Sequence, residues 1–323
     1  MRSAKITLFT FLLFALSFQS LNGQNKELVA QKVAGFPTSF ERAELLAQRI
    51  DQTFAEDIDK VYAVYWWIAN NTNYDFKALR DYNLIFRKAV RQDRDNYLEL
   101  KKQGVADFTV SNNYAVCAGY SNLFEVVCRE LGISCKTVSG YSKINADQIG
   151  KPLGETDHAW NIVTLNGESF FVDSTWGSGH WNGKFVKEFD DFYFNTDPLY
   201  FAFKHYPEDQ SDLLMEEPVQ KEWFINKPIH YTWQGGMVEL LSGQQGTIMK
   251  PKQGSLKLDF ELKAEGDISW ISVGGPQHTD EIKDYTYQDG ILKFSYNLPS
   301  GFSDRMLTIF LSGSSVLSFK VVH

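Results

Sequence analysis

The stretch HAWNIVTLNGESFFVDSTW, at residues 158–176, decides how this chain folds around its chemistry. Its Asn-Gly dipeptide at 166–167 predicts a two-residue β-hairpin turn, because both residues tolerate the positive φ that such turns require. With that turn, Trp160 faces Asp173 across the hairpin, and His158 shares a face with Trp160 because side chains alternate along a strand. His158 and Asp173 are then diagonal neighbours with Cα atoms roughly 7–8 Å apart, within reach of an imidazole–carboxylate hydrogen bond.

Cys117 lies upstream, at the start of a predicted helix. The asparagine pair at 112–113 ends the preceding element, and apolar residues at helical spacing predict a helix from Cys117 to Leu131 with Gly132 as its C-cap. In the first turn of a helix, unpaired N–H groups and the positive end of the helix dipole stabilise a thiolate. The same N–H groups can donate to the oxyanion that develops when a thiolate attacks a carbonyl.

Cys117, His158 and Asp173 together have the residue types of a nucleophile, a general base and an orienting acid. Cys117 would attack an acyl carbon, His158 would accept and return a proton, and Asp173 would fix the tautomer of His158. This chemistry requires no metal and no cofactor. Each residue also has a structural alternative: a small buried cysteine at a helix start, a satisfied half-buried histidine and a strand-end cap.

The composition limits the partners that the protein can have. Its 323 residues suggest two domains, and its 25 Phe, 15 Tyr and 8 Trp residues allow a substantial core. The formal net charge is −8 and no dense Lys/Arg tract is present, so the basic footprint of a nucleic-acid-binding protein is missing. An acidic surface also argues against adhesion to anionic lipid.

The first residues predict export. Arg2 and Lys5 give a positive start, an almost unbroken apolar run follows at residues 6–18, and a candidate cleavage site lies near Gly23. The run is too short for a membrane span of about 20 residues, and no later segment supplies one. We therefore expect a cleaved signal peptide at residues 1–23 and a secreted or periplasmic protein, with an uncleaved N-terminal anchor as the alternative.

Cys128 and Cys135 are the other two cysteines of the chain. In an oxidising compartment they could form a disulfide between the end of the Cys117 helix and the next strand. Two buried thiols are the alternative. The cysteine spacing fits neither a zinc ribbon nor a zinc finger.

Periodicity predicts a helical first half followed by a small set of strands. The predicted helices lie at residues 39–55, 57–70 with Asp57 as N-cap, and 117–131, with weak helical spacing at 76–107. The predicted strands lie at residues 135–141, 158–165 and 169–175, with an exposed loop at 142–156.

From about residue 226 the sequence becomes typical of an all-β domain. Alternating runs are separated by Gly-rich turns, and the Asp-Gly dipeptide at 289–290 predicts a tight hairpin. The runs are LKLDFEL (256–262), ILKFSY (291–296) and MLTIFL (306–311). Their spacing predicts a β-sandwich.

Six segments carry a resemblance to a known family, in the family's order and spacing. AVCAGYSNLF (115–124), GISCKTVSGYS (132–142), HAWNIV (158–163) and FVDSTWGSG (171–179) resemble the transglutaminase-like superfamily. DKVYAVYWWIANNTNYD (59–75) and FYFNTDPLYFAFKHYPED (192–209) resemble its kyphoscoliosis-peptidase branch. The resemblance extends over residues 39–225.

The resemblance implies an α+β fold: a papain-like, transglutaminase-like core at residues 24–225, followed here by the predicted β-sandwich at 226–323. It places the family's catalytic residues on Cys117, His158 and Asp173. A second oxyanion donor is expected from an upstream side chain, for which the candidates are Asn112, Asn113 and Tyr114.

Three functional hypotheses follow. The first is an exported cysteine-dependent hydrolase or acyl transferase that acts on peptide or amide bonds, with hydrolysis favoured because water is the default acceptor. The second is a cross-linking transglutaminase with an amine as acceptor. The third is a catalytically silent binding or scaffold protein whose C-terminal β domain binds a protein or a glycan.

Overall fold

The structure is a computed structural model that describes residues 25–234 and 236–322, so the predicted signal peptide lies outside the described residues. Helices and antiparallel strands are both abundant, which confirms the α+β fold class. The α-helices of the described part are α1 Lys26–Val33, α2 Ala43–Asp51, α3 Asp57–Asn71, α4 Ala78–Gln92, α5 Tyr97–Asn112, α6 Cys117–Glu130, α7 Pro198–Ala202 and α8 Lys221–Asn226.

The strands are mostly short before residue 250 and longer after it. They are β1 Asn73–Tyr74, β2 Tyr114–Ala115, β3 Ser134–Ser142, β4 His158–Leu165, β5 Glu168–Val172, β6 Gly179–Trp181, β7 Phe185–Lys187, β8 Phe194–Thr196, β9 His205–Pro207, β10 Ile229–His230, β11 Thr232–Trp233, β12 Gly236–Met237, β13 Glu239–Leu240, β14 Thr247–Met249, β15 Ser255–Lys263, β16 Ile271–Gly274, β17 Thr279–Ile282, β18 Tyr285–Gln288, β19 Ile291–Pro299, β20 Met306–Leu311 and β21 Ser314–Val322.

The described residues form two compact units. The first contains residues 25–137 and Trp160–Asp190, and the second contains Val138–Ala159 and residues 191–322. The predicted domain boundary between residues 225 and 226 stays a prediction.

Helix α3 supplies much of the core of the first unit. Its side chains from Val61 to Ala69 are mostly buried, and the indole N–H of the buried Trp67 donates to the Pro37 carbonyl at 2.9 Å. The predicted helix at 57–70 is therefore confirmed, with a shift of one residue at its start. Asp57 is the first helical residue rather than the N-cap, and there its carboxylate lies at the positive end of the helix dipole.

The charged region at 76–107 contains two helices, α4 and α5, rather than one weak pattern. Tyr82 of α4 and Val105 of α5 pack in one small apolar cluster. Helix α5 ends where the asparagine pair predicts, since Asn113 has a left-handed backbone with φ 61°. Its side-chain amide donates to the carbonyl of Asn71 at 3.0 Å, which ties the end of α5 to the end of α3.

The hairpin β4–β5 has the predicted register. Leu165 pairs with Glu168 and Asn161 with Val172, around a turn in which Asn166 and Gly167 have φ values of 52° and 84°. Strand β5 ends at Val172, three residues earlier than predicted, because the chain turns at the next residue.

The predicted exposed loop at 142–156 is wrong in part. Lys143 is buried, and its ammonium group donates to the carbonyl of Phe224 and, at 2.9 Å, to that of Lys227. Burial lowers the pKa of Lys143 to about 7. Ile149 is fully buried against Ile229. This segment therefore contributes to the core of the second unit, although its composition is typical of a surface loop.

The second unit contains the predicted β-sandwich. One sheet has the order β10-β21-β20-β16-β17, with β14 parallel to β21, and the other has the order β13-β15-β19-β18. Alternate residues of β15 and β19, including Phe260 and its partner Phe294, are buried in a core shared by both sheets. The hairpin at 289–290 is confirmed, because Asp289 and Gly290 have φ values of 52° and 75°.

None of the helices between residues 25 and 322 is long and apolar enough to cross a membrane.

Candidate active site

Cys117 is the first residue of α6 and is half-buried. Its N–H is therefore one of the helix N–H groups that have no partner inside the helix. Gly119 lies in the first turn of α6, and because it has no side chain, α6 can approach the neighbouring helices closely. A Cβ at Gly119 would lie 1.9 Å from the Tyr82 hydroxyl oxygen and 2.9 Å from the Thr109 hydroxyl oxygen. The candidate nucleophile Cys117 thus lies at a helix start that packs closely against its neighbours.

Tyr74 is the residue beside this N–H. Strand β1 pairs in parallel with β2, so that Tyr74 is opposite Ala115, two residues before Cys117. The Cys117 N–H donates to the Tyr74 hydroxyl oxygen. Burial, followed by the charge that Cys117 can carry, raises the pKa of Tyr74 well above its ordinary value. Its O–H group therefore remains a hydrogen-bond donor next to the N–H that would hold an oxyanion.

The expected second oxyanion donors have other partners. The Asn112 side-chain amide donates to the Phe108 carbonyl at 2.8 Å, and that of Asn113 donates to backbone carbonyls. The Tyr114 hydroxyl donates to the Asp81 carboxylate at 3.0 Å. Sequence reasoning missed Tyr74, whose one signal is its place at the end of the motif at 59–75.

Asp173 directly follows β5 and is fully buried. One of its carboxylate oxygens accepts the N–H groups of Thr175 at 2.9 Å and Trp176 at 3.0 Å, which turns the chain and fixes the carboxylate. The charge of Asp173 contributes to raising the pKa values of Tyr74 and Tyr120, after the larger effect of burial. Asp173 and Cys117 therefore both influence the pKa of Tyr74, so two of the three predicted site residues lie near this tyrosine within the first unit.

Tyr120, one turn into α6, closes a polar network under the same site. Its hydroxyl donates to the Thr72 carbonyl at 2.7 Å, and the Lys187 ammonium donates to the same carbonyl. Lys187 is exposed as a residue, but desolvation of its ammonium group lowers the pKa of Lys187 to about 8. The Tyr74 and Tyr120 rings stack with centroids 6.4 Å apart. These contacts fix the position of Tyr74 relative to α6.

His158 is the first residue of β4 and is buried, with 7 % of its surface exposed. It shares a strand face with Trp160, which is one position beyond the last paired residue, Asn161. In the second unit the His158 and His205 ring centroids are 5.3 Å apart, and Phe201 stacks on His205 with centroids 3.9 Å apart. Sequence reasoning did not single out His205, although it lies within the motif at 192–209. That Cys117, His158 and Asp173 work as a triad stays a prediction.

Cys128 and Cys135 are free thiols. Cys128 is buried, and Cys135 is half-buried as a residue. Burial of the Cys135 thiol, together with a hydrogen bond to Cys128, raises the pKa of Cys135 well above its ordinary value. In the structure Cys128 and Cys135 are therefore two separate thiols and not a disulfide.

Comparison with known proteins gives the chain a family. The model of the transglutaminase-like superfamily matches residues 44–176. Kyphoscoliosis peptidase of Homo sapiens is 35% identical over 279 residues, and that of Mus musculus is 29% identical over 279 residues; each alignment covers 83% of this chain and 38% of the relative.

A third relative, "Lim and transglutaminase domain protein ltd-1" of Caenorhabditis elegans, is 25% identical over 232 residues, which is 65% of this chain and 29% of the relative. The chain thus spans well under half the length of these relatives. The family model covers four of the six motifs in full and the first part of the motif at 171–179. Residues 44–176 therefore form a domain of the transglutaminase-like superfamily, and the similarity to kyphoscoliosis peptidase extends over 83% of the chain.

Proposed function

We propose that the protein is an exported cysteine-dependent hydrolase or acyl transferase that acts on peptide or amide bonds through Cys117, His158 and Asp173. One observation carries the proposal: Cys117 begins a helix with its N–H against the Tyr74 hydroxyl, and the Asp173 charge acts on the same tyrosine. Export is proposed from residues 1–23 alone, and amino-terminal sequencing of the mature protein tests it.

In the first half-reaction the Cys117 sulfur attacks the amide carbonyl carbon while His158 takes the thiol proton. The Cys117 N–H exchanges its hydrogen bond to the Tyr74 hydroxyl oxygen for one to the oxyanion that forms, and the Tyr74 hydroxyl donates to the same oxyanion. The C–N bond then breaks, His158 returns the proton to the departing nitrogen, and the acyl group remains on Cys117 as a thioester.

In the second half-reaction a water molecule attacks the thioester carbonyl carbon and His158 takes one of its protons. Collapse of the intermediate releases the carboxylic acid, and the proton returns to the Cys117 sulfur. Asp173 keeps His158 in the tautomer that can accept this proton and stabilises the imidazolium. With an amine in place of water, the same steps give a new amide.

The acceptor is tested by letting water and an amine compete. We expect the protein, incubated with casein and dansylcadaverine, to produce new α-amino groups faster than fluorescent casein, because water reaches an open site at far higher concentration. Both products are quantified on the same samples.

A control addresses metal dependence. The His158 imidazole and the Asp173 carboxylate are groups that zinc can also use as ligands, so the assay is repeated with a chelator, which should leave the rate unchanged.

The other outcomes decide between the alternatives. Fluorescent casein without new α-amino groups would identify a cross-linking transglutaminase. The absence of both products and of released ammonia, with casein and with a mixed peptide library, would favour the silent binding protein.

A further inference from the structure

Two large aromatic side chains of the first unit are exposed side by side. Phe76 is 57% exposed and Trp181 is 58% exposed, and their ring centroids are 5.9 Å apart in an edge-to-face arrangement. Exposing apolar surface to water is unfavourable in proportion to its area. Single exposed apolar residues are common, but adjacent ones that form a patch mark a site of interaction.

This aromatic pair is continuous with the candidate active site. The Phe76 ring meets the Tyr74 ring edge-to-face with centroids 5.3 Å apart, and the Tyr74 hydroxyl lies against the Cys117 N–H. The Phe185 ring lies 6.4 Å from the Tyr74 ring. An aromatic surface therefore leads from the nucleophile to the exposed pair within one compact unit.

The backbone that presents the pair is ordered by hydrogen bonds. Trp181 on β6 pairs with Phe185 on β7, and the Phe76 carbonyl accepts the N–H of Leu79 at 3.1 Å in the turn that leads into α4. A surface that is already arranged loses little conformational entropy when a ligand binds.

We propose that Phe76 and Trp181 form a subsite that binds a large apolar side chain, aromatic or aliphatic, of the peptide or protein acyl substrate near the bond that Cys117 attacks. The inference rests on the proposed function and adds a substrate class to it. Edge and face contacts with two rings favour an apolar group over a small or polar one. A cationic side chain stacked over the rings is the competing occupant, and the test separates the two.

The test uses alkylation of Cys117, because it needs no known substrate. The sulfur displaces chloride from a chloroacetamide and forms a thioether. The rate is measured by mass spectrometry of the Cys117 peptide with 2-chloroacetamide and with its N-benzyl, N-phenethyl, N-butyl and N-aminoethyl derivatives. The rate of Cys117 with each reagent is divided by the rate of a free model thiol with the same reagent, which corrects for intrinsic reactivity. Dividing this value by the value for 2-chloroacetamide gives the preference of the site for each derivative.

We expect at least one aromatic derivative to react roughly tenfold faster than 2-chloroacetamide after this correction, which corresponds to about 1.4 kcal/mol of binding. In Phe76→Ala and in Trp181→Ala the ratio should fall toward one, and in Trp181→Phe most of it should remain. The matched control is Trp270→Ala in the β-sandwich, where the tryptophan is 43% exposed, and it should keep the wild-type ratio.

Equal corrected rates for all reagents with the wild type would overturn the subsite. A preference for aromatic reagents that survives both alanine variants would also overturn it, as would a larger preference for the aminoethyl reagent. Both alanine variants replace side chains that are more than half exposed, so circular dichroism should show folded proteins. If one variant does not fold, the other alone decides the result. A Cys117 that reacts with no reagent would contradict the proposed function itself, and the subsite with it.

Discussion

Cys117→Ala is expected to abolish the release of α-amino groups from casein while it leaves the fold intact. The thioester cannot form without the sulfur, so no residual route through this site remains. The structural effect should be small, because Cys117 is half-buried and the change removes one atom at a helix start. The measurement compares the initial rates of the two proteins and their thermal unfolding midpoints.

The matched control for this variant is Cys135→Ala, which removes a thiol that is not part of the proposed chemistry and should retain activity. If Cys117→Ala cleaved casein as fast as the wild type, the activity would come from elsewhere and the silent-scaffold interpretation would apply to this domain.

Tyr74→Phe is expected to lower the turnover number about 10²-fold, which is the usual effect of removing one oxyanion donor. The phenylalanine keeps the ring that packs against Phe76 and Phe185, so the loss would report the hydroxyl rather than the packing. Alkylation of Cys117 by 2-chloroacetamide forms no oxyanion, and its rate should change far less than the turnover number.

The control for Tyr74→Phe is Tyr114→Phe, which removes a hydroxyl that donates to Asp81 instead. Equal losses of turnover in the two variants would assign the effect to stability and would return Tyr114 to the set of candidate donors.

The parts of the site that depend on short-range patterns could be predicted from the sequence. The register of β4 and β5 follows from the Asn-Gly turn at 166–167, since a two-residue turn fixes every pair along a hairpin. The start of α6 at Cys117 follows from the asparagine pair that ends α5 and the apolar spacing that begins after it.

The features that depend on pairing between distant segments could not be predicted from the sequence. Tyr74 reaches Cys117 because β1 pairs with β2, and these two-residue strands have no pattern of their own. Lys143 lies in a segment with the composition of a loop, and its burial is possible because the carbonyls of Phe224 and Lys227 accept hydrogen bonds from its ammonium group. In both cases the partner is a backbone group far along the chain, which local composition does not reveal.

The resemblance of the six motifs predicted the family, which residue patterns alone could not do. It did not identify the second oxyanion donor. It identified the superfamily that the comparisons confirm. It left the second donor open among three residues, and the structure gives each of them another partner.

The central claim is that His158 activates Cys117, and the rate at which 2-chloroacetamide alkylates Cys117 at neutral pH tests it most directly. The wild-type rate is compared with that of N-acetylcysteine amide, of His158→Ala and of the control His180→Ala, which removes an exposed histidine paired with Glu188 at 3.2 Å. We predict that wild-type Cys117 and the His180 variant react roughly tenfold or more faster than the free thiol, and that His158→Ala reacts at the rate of the free thiol. Equal rates for the wild type and a folded His158→Ala protein would contradict it.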